Sequence, residues 1–126
     1  MDKNLKFSKT HEWVKVEDDV AIIGLTDFAQ AQLGDIVYAE PEPEGTEVEL
    51  EDIIGTVESV KAASDLYAPV SGEIVEANVD IEDAPEAINE APWDTWFVKI
   101  KMADLGELDD LMDADAYEQF CEEEDA

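Results

Sequence analysis

Short strand-like runs, each ended by turn-forming residues, fill the chain from residue 13 to residue 102. Residues 13–16 and 20–24 flank an acidic triplet, a pattern typical of a hairpin with a short turn. Further runs lie at 36–39, 46–50, 73–78 and 96–102 and on either side of residue 61. Prolines after residue 40 prevent continued pairing in the middle of a sheet, so 46–50 is expected at a sheet edge. The pattern predicts a mostly β fold.

Helical signals occur between these runs and at the end of the chain. Thr26 is placed to cap a short helix over residues 27–33, with Gly34 at its end. Apolar residues return to helical spacing after the last strand-like run. They predict C-terminal helices over about residues 104–123, with Asp113 as the cap of the last one.

Two further local predictions concern the region before the C-terminal helices. Asp83 is the expected cap of a helix of one or two turns, with Pro85 in its first turn and Asn89 as its stop. The alternation in residues 96–102 predicts a strand with one buried face. The residues expected on that face are Trp96, Val98, Ile100 and Met102.

The 126 residues are enough for one domain with a real core, and we expect a single domain over residues 1–126. The formal net charge of −28 comes from 35 acidic residues against 7 lysines and no arginine. Self-repulsion of this size destabilises a compact state at low salt and is screened at high salt. The charge therefore predicts a high-salt cytoplasm, as in a halophilic archaeon.

Composition and motifs exclude several classes of function. Phosphate binding needs clustered cations, and this chain has no such cluster, so nucleic acid is not an expected partner. No apolar run is long enough for a membrane span, and no apolar signal segment is present, so we expect a cytoplasmic protein. We also expect the protein to be monomeric when it is free of its partners. The single histidine, His11, is expected to form structural hydrogen bonds, and the single cysteine, Cys121, to be inert.

Lys61 is the only positively charged side chain between Lys15 and Lys99. One strand-like run enters it and another leaves it, which predicts a lysine at the tip of a hairpin. A solubilising surface lysine would satisfy the charge pattern equally well. Its neighbours favour a chemical role, because a tight hairpin projects an amine from a rigid backbone.

The residues next to Lys61 are expected to support the turn and to leave access to the amine. Val57 and Val60 are expected to pack beneath it, and the small residues 62–63 leave space beside the tip. The side chains of residues 64–65 are expected to hold the turn through hydrogen bonds to the backbone.

The segment ESVKAASDLY at residues 58–67, followed by PVSGE at 69–73, resembles the lipoyl attachment segment of glycine cleavage system H proteins. The similarity extends over nearly the whole chain. Its other motifs are HEWV at 11–14, GLTD at 24–27, LGDIV at 33–37, WFVKIK at 96–101 and DADAY at 113–117.

The resemblance implies a lipoyl-type barrel-sandwich hybrid of interlocked hairpins, with the lipoyl hairpin at about residues 53–79. It implies a non-catalytic carrier with lipoic acid attached as an amide to Lys61. The implied partners are a pyridoxal-phosphate glycine decarboxylase, a tetrahydrofolate-dependent aminomethyltransferase, a dihydrolipoyl dehydrogenase and a lipoate-attaching enzyme. Such a carrier shuttles the aminomethyl group of glycine between them.

The resemblance also implies a resting cleft for the arm near Glu12. We expect Glu12 and Asp65 to help hold the cationic amine of the loaded arm, because nearby carboxylates favour its charged form. The simpler roles are an ordinary surface charge for Glu12 and turn stabilisation for Asp65. Glu58, Val60 and Ala62 flank the lysine and are the other expected cofactor contacts.

Four alternatives remain open from the sequence. Two are a lipoyl domain of a 2-oxo acid dehydrogenase and a lipoyl-relay or scaffold protein that passes lipoate to other enzymes. A third is a biotin carrier, disfavoured because valine and alanine, rather than methionines, flank Lys61. The last is an unmodified acidic interaction module.

Overall fold

The computed structural model describes residues 5–125 and contains two antiparallel β-sheets. The strands are β1 (Lys6–Phe7), β2 (Glu12–Glu17), β3 (Val20–Leu25), β4 (Ile36–Pro41), β5 (Glu47–Val48), β6 (Ile53–Ser59), β7 (Ala63–Tyr67), β8 (Gly72–Ala77) and β9 (Trp96–Met102). The larger sheet has the order β1-β2-β3-β9-β8-β5 and the smaller one β4-β6-β7. The mostly β prediction is confirmed.

Short helices connect and close the sheets. They are α1 (Asp27–Leu33), α2 (Asp80–Asp83), α3 (Ala87–Glu90), a 3-10 helix (Leu105–Asp110) and α4 (Ala114–Asp125). Thr26 caps α1 by accepting a hydrogen bond from the Ala29 amide at 3.3 Å, and Gly34 follows it with φ 82°. Asp113 caps α4 in the same way, accepting from the Ala116 amide at 2.8 Å. Within residues 5–125, no helix is long and apolar enough to cross a bilayer.

The main core lies between the two sheets. Its fully buried members come from both sheets and include Ile23, Ile54, Val57, Ile74 and Ile100. A second cluster joins β1 and β2 to α4, where the Tyr117 ring stacks on Phe7 with 4.5 Å between centroids. Burial of both clusters removes large apolar surfaces from water, which is the main force that holds the sheets and helices together.

The helix predicted over residues 83–89 has the wrong boundaries. Asp83 is the last residue of α2 rather than a cap, and Pro85 lies in the link between α2 and α3. Asn89 is inside α3 and does not stop it. Ile81 and Ile88 are both buried in the main core, so packing divides the segment into two turns where local capping signals predicted one.

The predicted buried face of residues 96–102 is also wrong at one end. The pairing of β3 with β9 skips Phe97, because Ile23 pairs with Val98 and Gly24 with Trp96. This β-bulge reverses the alternation, since an extra residue turns the following side chains to the other face. Phe97 therefore enters the main core, whereas Trp96 packs with the second cluster.

Asn89 ties α3 to the end of α1 and the start of β4. Its side-chain amide donates to Gln30 Oε1 at 2.8 Å and to the Gly34 carbonyl at 2.9 Å. Its Oδ1 accepts from the Ile36 amide at 2.8 Å. Between these anchored residues, the Asp35 carbonyl accepts a hydrogen bond from the Val60 amide at 3.1 Å. The turn between β6 and β7 therefore rests on a backbone segment that Asn89 fixes.

We predict that Asn89→Ala loosens residues 34–36 and, with them, the turn at residue 60. The substitution leaves the Ile36 amide and the Gly34 carbonyl without their partner, which costs about 1–3 kcal/mol for each buried group left unpaired. Native-state hydrogen exchange should show faster exchange of the Ile36 and Val60 amides. The matched control is Asn78→Ala, which removes a similar 2.8 Å bond to the Trp96 carbonyl in the other sheet. Equal protection of Val60 in both variants and the wild type would contradict the prediction.

Candidate functional site

Lys61 lies at the tip of the tight turn that joins β6 to β7. The Ser59 amide donates to the Ala62 carbonyl at 2.7 Å, and Glu58 pairs with Ala63 below it. The Lys61 side chain is exposed and, among residues 5–125, it forms no salt bridge. The structure thus presents a primary amine on a short, hydrogen-bonded hairpin, where the sequence placed it.

Ser59 is the side chain that holds this turn. Its Oγ accepts hydrogen bonds from the amides of Lys61 at 3.3 Å and Ala62 at 3.0 Å and donates to the Ala62 carbonyl at 3.2 Å. Sequence reasoning assigned this role to Ser64 and Asp65, which was wrong because both already lie in the strand ladder of β7. Serine before a tight turn was the signal that could have identified Ser59.

The two valines near the turn have different environments. Val57 is fully buried as predicted, but Val60 is 69% exposed and does not pack beneath the turn. The strand β6 ends at Ser59, so its alternation of buried and exposed residues does not continue to Val60. The side chain of Val60 instead stands at the surface beside Lys61.

Gly34 gives the lysine stem its path along the protein surface. A Cβ atom at Gly34 would lie 3.5 Å from Lys61 Cε, so the stem passes over bare backbone at the end of α1. The φ angle of +82° places this residue in a region that glycine occupies without strain. The lysine stem is therefore supported by both the turn and the end of α1.

Glu12 is buried below the far end of β7 and is not a surface charge. Its Oε1 accepts from the hydroxyls of Ser8 at 2.5 Å and of Thr10, and its Oε2 accepts from the Tyr67 amide at 3.2 Å. Burial raises the pKa of this carboxyl, and the hydrogen bonds from Ser8, Thr10 and Tyr67 and the nearby His11 offset part of that rise. Glu12 thus links the start of β2 to the end of β7.

Asp65 lies two residues before Tyr67 on the same strand and is partly buried. Its Oδ1 accepts from the Thr56 hydroxyl at 3.4 Å, across the β6–β7 pair. Residues two apart on a strand are about 7 Å apart and share a face. Asp65 and Tyr67, whose amide bonds to Glu12, therefore lie on the same face of β7 at increasing distance from Lys61.

A cavity of about 470 Å³ opens at that end of β7. It lies between the loop after β1, the end of β7 and the 3-10 helix, and its walls are mainly apolar. The lining includes Ser8, Thr10, Leu50, Tyr67, Pro69 and Met112. Ser8 and Thr10 are the same hydroxyl groups that bond to Glu12, so the cavity has an acidic group behind part of its wall.

His11 has the structural role that the sequence predicted. Its two ring nitrogens share hydrogen bonds of 2.7 Å with the Tyr117 hydroxyl and with Glu124 Oε2. It holds α4 against the loop before β2. In the described part of the chain, no three histidine, cysteine, aspartate or glutamate residues are grouped to hold a metal.

These features describe a presentation site. They combine an accessible amine, a rigid turn, and a strand that leads to a partly apolar cavity with a buried carboxyl behind it. Such an arrangement can carry a long acyl group on the lysine.

Comparison with known proteins agrees with this description. The family model described as "Glycine cleavage H-protein" matches residues 5–124. The glycine cleavage system H protein of Staphylococcus carnosus is 52% identical over 123 residues, covering 96% of this chain and 97% of that protein. The H protein of Brevibacillus brevis is 50% identical, and the match covers 96% of this chain and 97% of that protein. The H protein of Thermotoga maritima is 49% identical, and the match covers 97% of this chain and 99% of that protein.

A solved structure shows the same architecture. The crystal structure of the glycine cleavage system H protein from Mycobacterium marinum superposes with a TM-score of 0.85 at 28% identity, covering 100% of both chains. The predicted lipoyl-type barrel-sandwich fold is therefore confirmed. With a family match over residues 5–124 and relatives about half identical along nearly the full length, this chain belongs to the glycine cleavage H-protein family.

Proposed function

We propose that Lys61 is the lipoyl attachment residue of this H protein. As a member of its family, the chain is a non-catalytic lipoyl carrier of the glycine cleavage system, and family members carry lipoate on a lysine. The observation that supports Lys61 is its position as an exposed amine at the tip of the β6–β7 turn. Residues 1–126 would act as one carrier domain, with the lipoyl hairpin at about 53–79 and C-terminal helices at about 104–123.

The partners follow from the chemistry of the cycle. The lipoyl disulfide accepts the aminomethyl group of glycine and is later reoxidised, so the cofactor supplies the chemistry and the protein supplies presentation. We assign three partners to this cycle: a pyridoxal-phosphate glycine decarboxylase, a tetrahydrofolate-dependent aminomethyltransferase and a dihydrolipoyl dehydrogenase. A fourth partner, a lipoate-attaching enzyme, would join the cofactor to the lysine. Tethering keeps the carried group at high effective concentration for each partner in the cytoplasm.

The reach of the arm fits the position of Asp65. From Lys61 Cα to the dithiolane ring the arm has about 11 bonds and extends about 14 Å. Asp65 is four residues from Lys61, which is about 13 Å along the strand at about 3.3 Å per residue. An arm folded back along β7 would therefore bring its dithiolane ring to the level of Asp65, whereas Tyr67 and the cavity beside it lie about 20 Å from Lys61 by the same measure.

Asp65 and Glu12 would stabilise the cationic amine of the loaded arm. Asp65 has acceptor capacity beyond its 3.4 Å contact with Thr56, whereas the Glu12 carboxylate already accepts from three donors. Asp65 would act by direct contact, and Glu12 through its charge behind the wall. Glu58, Val60 and Ala62 border the attachment point and would contact the first atoms of the arm.

The strongly acidic surface would adapt the carrier to a high-salt cytoplasm such as that of a halophilic archaeon. Among residues 5–125 one salt bridge joins a lysine to a carboxylate, Lys99–Glu76, and His11 contacts Glu124 at 2.7 Å. The 35 carboxylates are thus mostly without a cationic partner and repel one another, and salt would screen that repulsion.

The attachment prediction is tested by intact mass and peptide mapping of protein purified from its native cell. We expect the mass of one lipoyl group, located on Lys61. Lys61→Arg should remove both the modification and all activity in reconstituted glycine cleavage, because arginine cannot form the amide. Lys101→Arg, at another exposed lysine, is the matched control and should change neither. A wild-type protein without the modification, in cells that make lipoate, would refute the assignment.

The arm-holding prediction is tested by the lifetime of the loaded carrier. We expect Asp65→Asn and Glu12→Gln to release ammonia faster than the wild type, because each removes a negative charge that favours the charged amine. Glu47→Gln, an exposed residue of the other sheet, is the control. Unchanged lifetimes in correctly folded Asp65→Asn and Glu12→Gln proteins would exclude the role.

The salt prediction is tested by urea unfolding at different ionic strengths. We expect the free energy of unfolding to rise between about 0.1 M and about 1 M salt, where the Debye length falls from about 10 Å to about 3 Å. A variant with Glu42→Gln, Glu44→Gln and Glu49→Gln, all at exposed or partly exposed positions, should depend less on salt. Full stability of the wild type at low salt would reject a high-salt adaptation.

A further inference from the structure

Two exposed valines lie where the start of β4 meets the turn that carries Lys61. Val60 directly precedes the lysine and is 69% exposed, and Val37 of β4 is 57% exposed. The Val60 amide donates to the Asp35 carbonyl at 3.1 Å, and Ile36 pairs with Ser59. Val37 therefore lies two residues along the chain from the carbonyl that holds the Val60 amide.

A β-bulge explains why Val37 faces outward. The pairing of β4 with β6 is irregular between Ile36 and Tyr38, so Val37 has no direct partner. Ile36 and Ala39 remain buried, whereas Val37 and Tyr38 are both exposed. Because β4 is an edge strand of the smaller sheet, this apolar surface lies open in the described part of the chain.

We propose that Val37 and Val60 form the docking surface for the enzyme that acylates Lys61. This inference rests on Lys61 being the attachment residue. The occupant would present an apolar surface around the entrance through which the lysine reaches its active site. Contact with a partner would remove both side chains from water, which favours association.

The length of the lysine side chain selects this partner among the four. An extended lysine places Nζ about 6 Å from its Cα. An enzyme that reacts with Nζ must therefore approach the turn closely, where it would meet Val60 and the neighbouring start of β4. Enzymes that act on the dithiolane work about 14 Å from the same Cα and need no contact with the turn.

The charged residues around the two valines indicate which groups should surround the apolar centre of the partner's surface. Asp35, Glu40 and Glu58 are exposed around them, and Glu40 accepts a hydrogen bond from the Tyr38 hydroxyl at 2.8 Å. A partner with basic groups around an apolar centre would match this arrangement. In high salt the charged rim is screened, so the valines would carry most of the affinity.

The test uses Val37→Thr, Val60→Thr and the double variant, because threonine keeps the β-branched shape and replaces a methyl group by a hydroxyl. Val16→Thr and Val79→Thr are the controls, at valines that are 40% and 60% exposed elsewhere on the surface. Each apoprotein is acylated by a purified lipoate–protein ligase with lipoate and ATP. Each lipoylated protein is then assayed in glycine-dependent carbon dioxide exchange with the decarboxylase.

We expect the double variant to raise the KM for acylation about tenfold. Val37→Thr alone should raise the KM by a smaller factor, with kcat, the exchange activity and the melting temperature unchanged and with both controls like the wild type. A tenfold change corresponds to about 1.4 kcal/mol of lost contact. An unchanged KM in the double variant, an equal loss in both assays for Val37→Thr, or a loss in the controls would overturn the proposal. A wild-type protein that gains no lipoyl group on Lys61 would overturn the attachment assignment as well, which separates that failure from loss of the docking surface alone.

Discussion

The backbone pairing of β6 with two neighbours is the constraint on which the rest of the site depends. As the central strand of the smaller sheet, β6 is bonded to β4 on one side and to β7 on the other. It buries Ile54 and Val57 in the main core and ends at Ser59, whose hydroxyl closes the turn. The same strand thus connects the core to Lys61 without a flexible segment between them. An attachment residue on such a hairpin limits motion to the cofactor arm itself.

The supports of the turn come from parts of the chain that are far apart in sequence. Asn89 fixes the end of α1 and the start of β4, and the Asp35 carbonyl between them holds the Val60 amide. Gly34 provides the bare backbone over which the lysine stem passes. Rigidity at one exposed amine therefore depends on α1, α3, β4 and β6 together, and a carrier needs this because each partner must meet the arm in the same position.

Charge is used in two different ways in this chain. Among the described residues, every carboxylate other than Glu12 is exposed or partly exposed, and the net charge of −28 favours solubility but opposes compact folding. Glu12 is buried, and hydroxyl and amide groups donate hydrogen bonds to its carboxyl. Burial raises the pKa of this group and the hydrogen bonds offset part of that rise, so the same residue type has a structural role inside and a solvated one outside.

The sequence by itself determined the elements whose signals are local. The caps at Thr26 and Asp113, the acidic hairpin turn and the turn at Lys61 were predicted because side-chain type and spacing decide them within a few residues. Only the tertiary structure decided that Phe97 replaces Trp96 in the core, that Val60 is exposed, and that Glu12 is buried. The physical reason is that a bulge, the end of a strand ladder and the closure of a loop over a carboxylate depend on pairing between distant strands. A one-dimensional pattern does not contain that register.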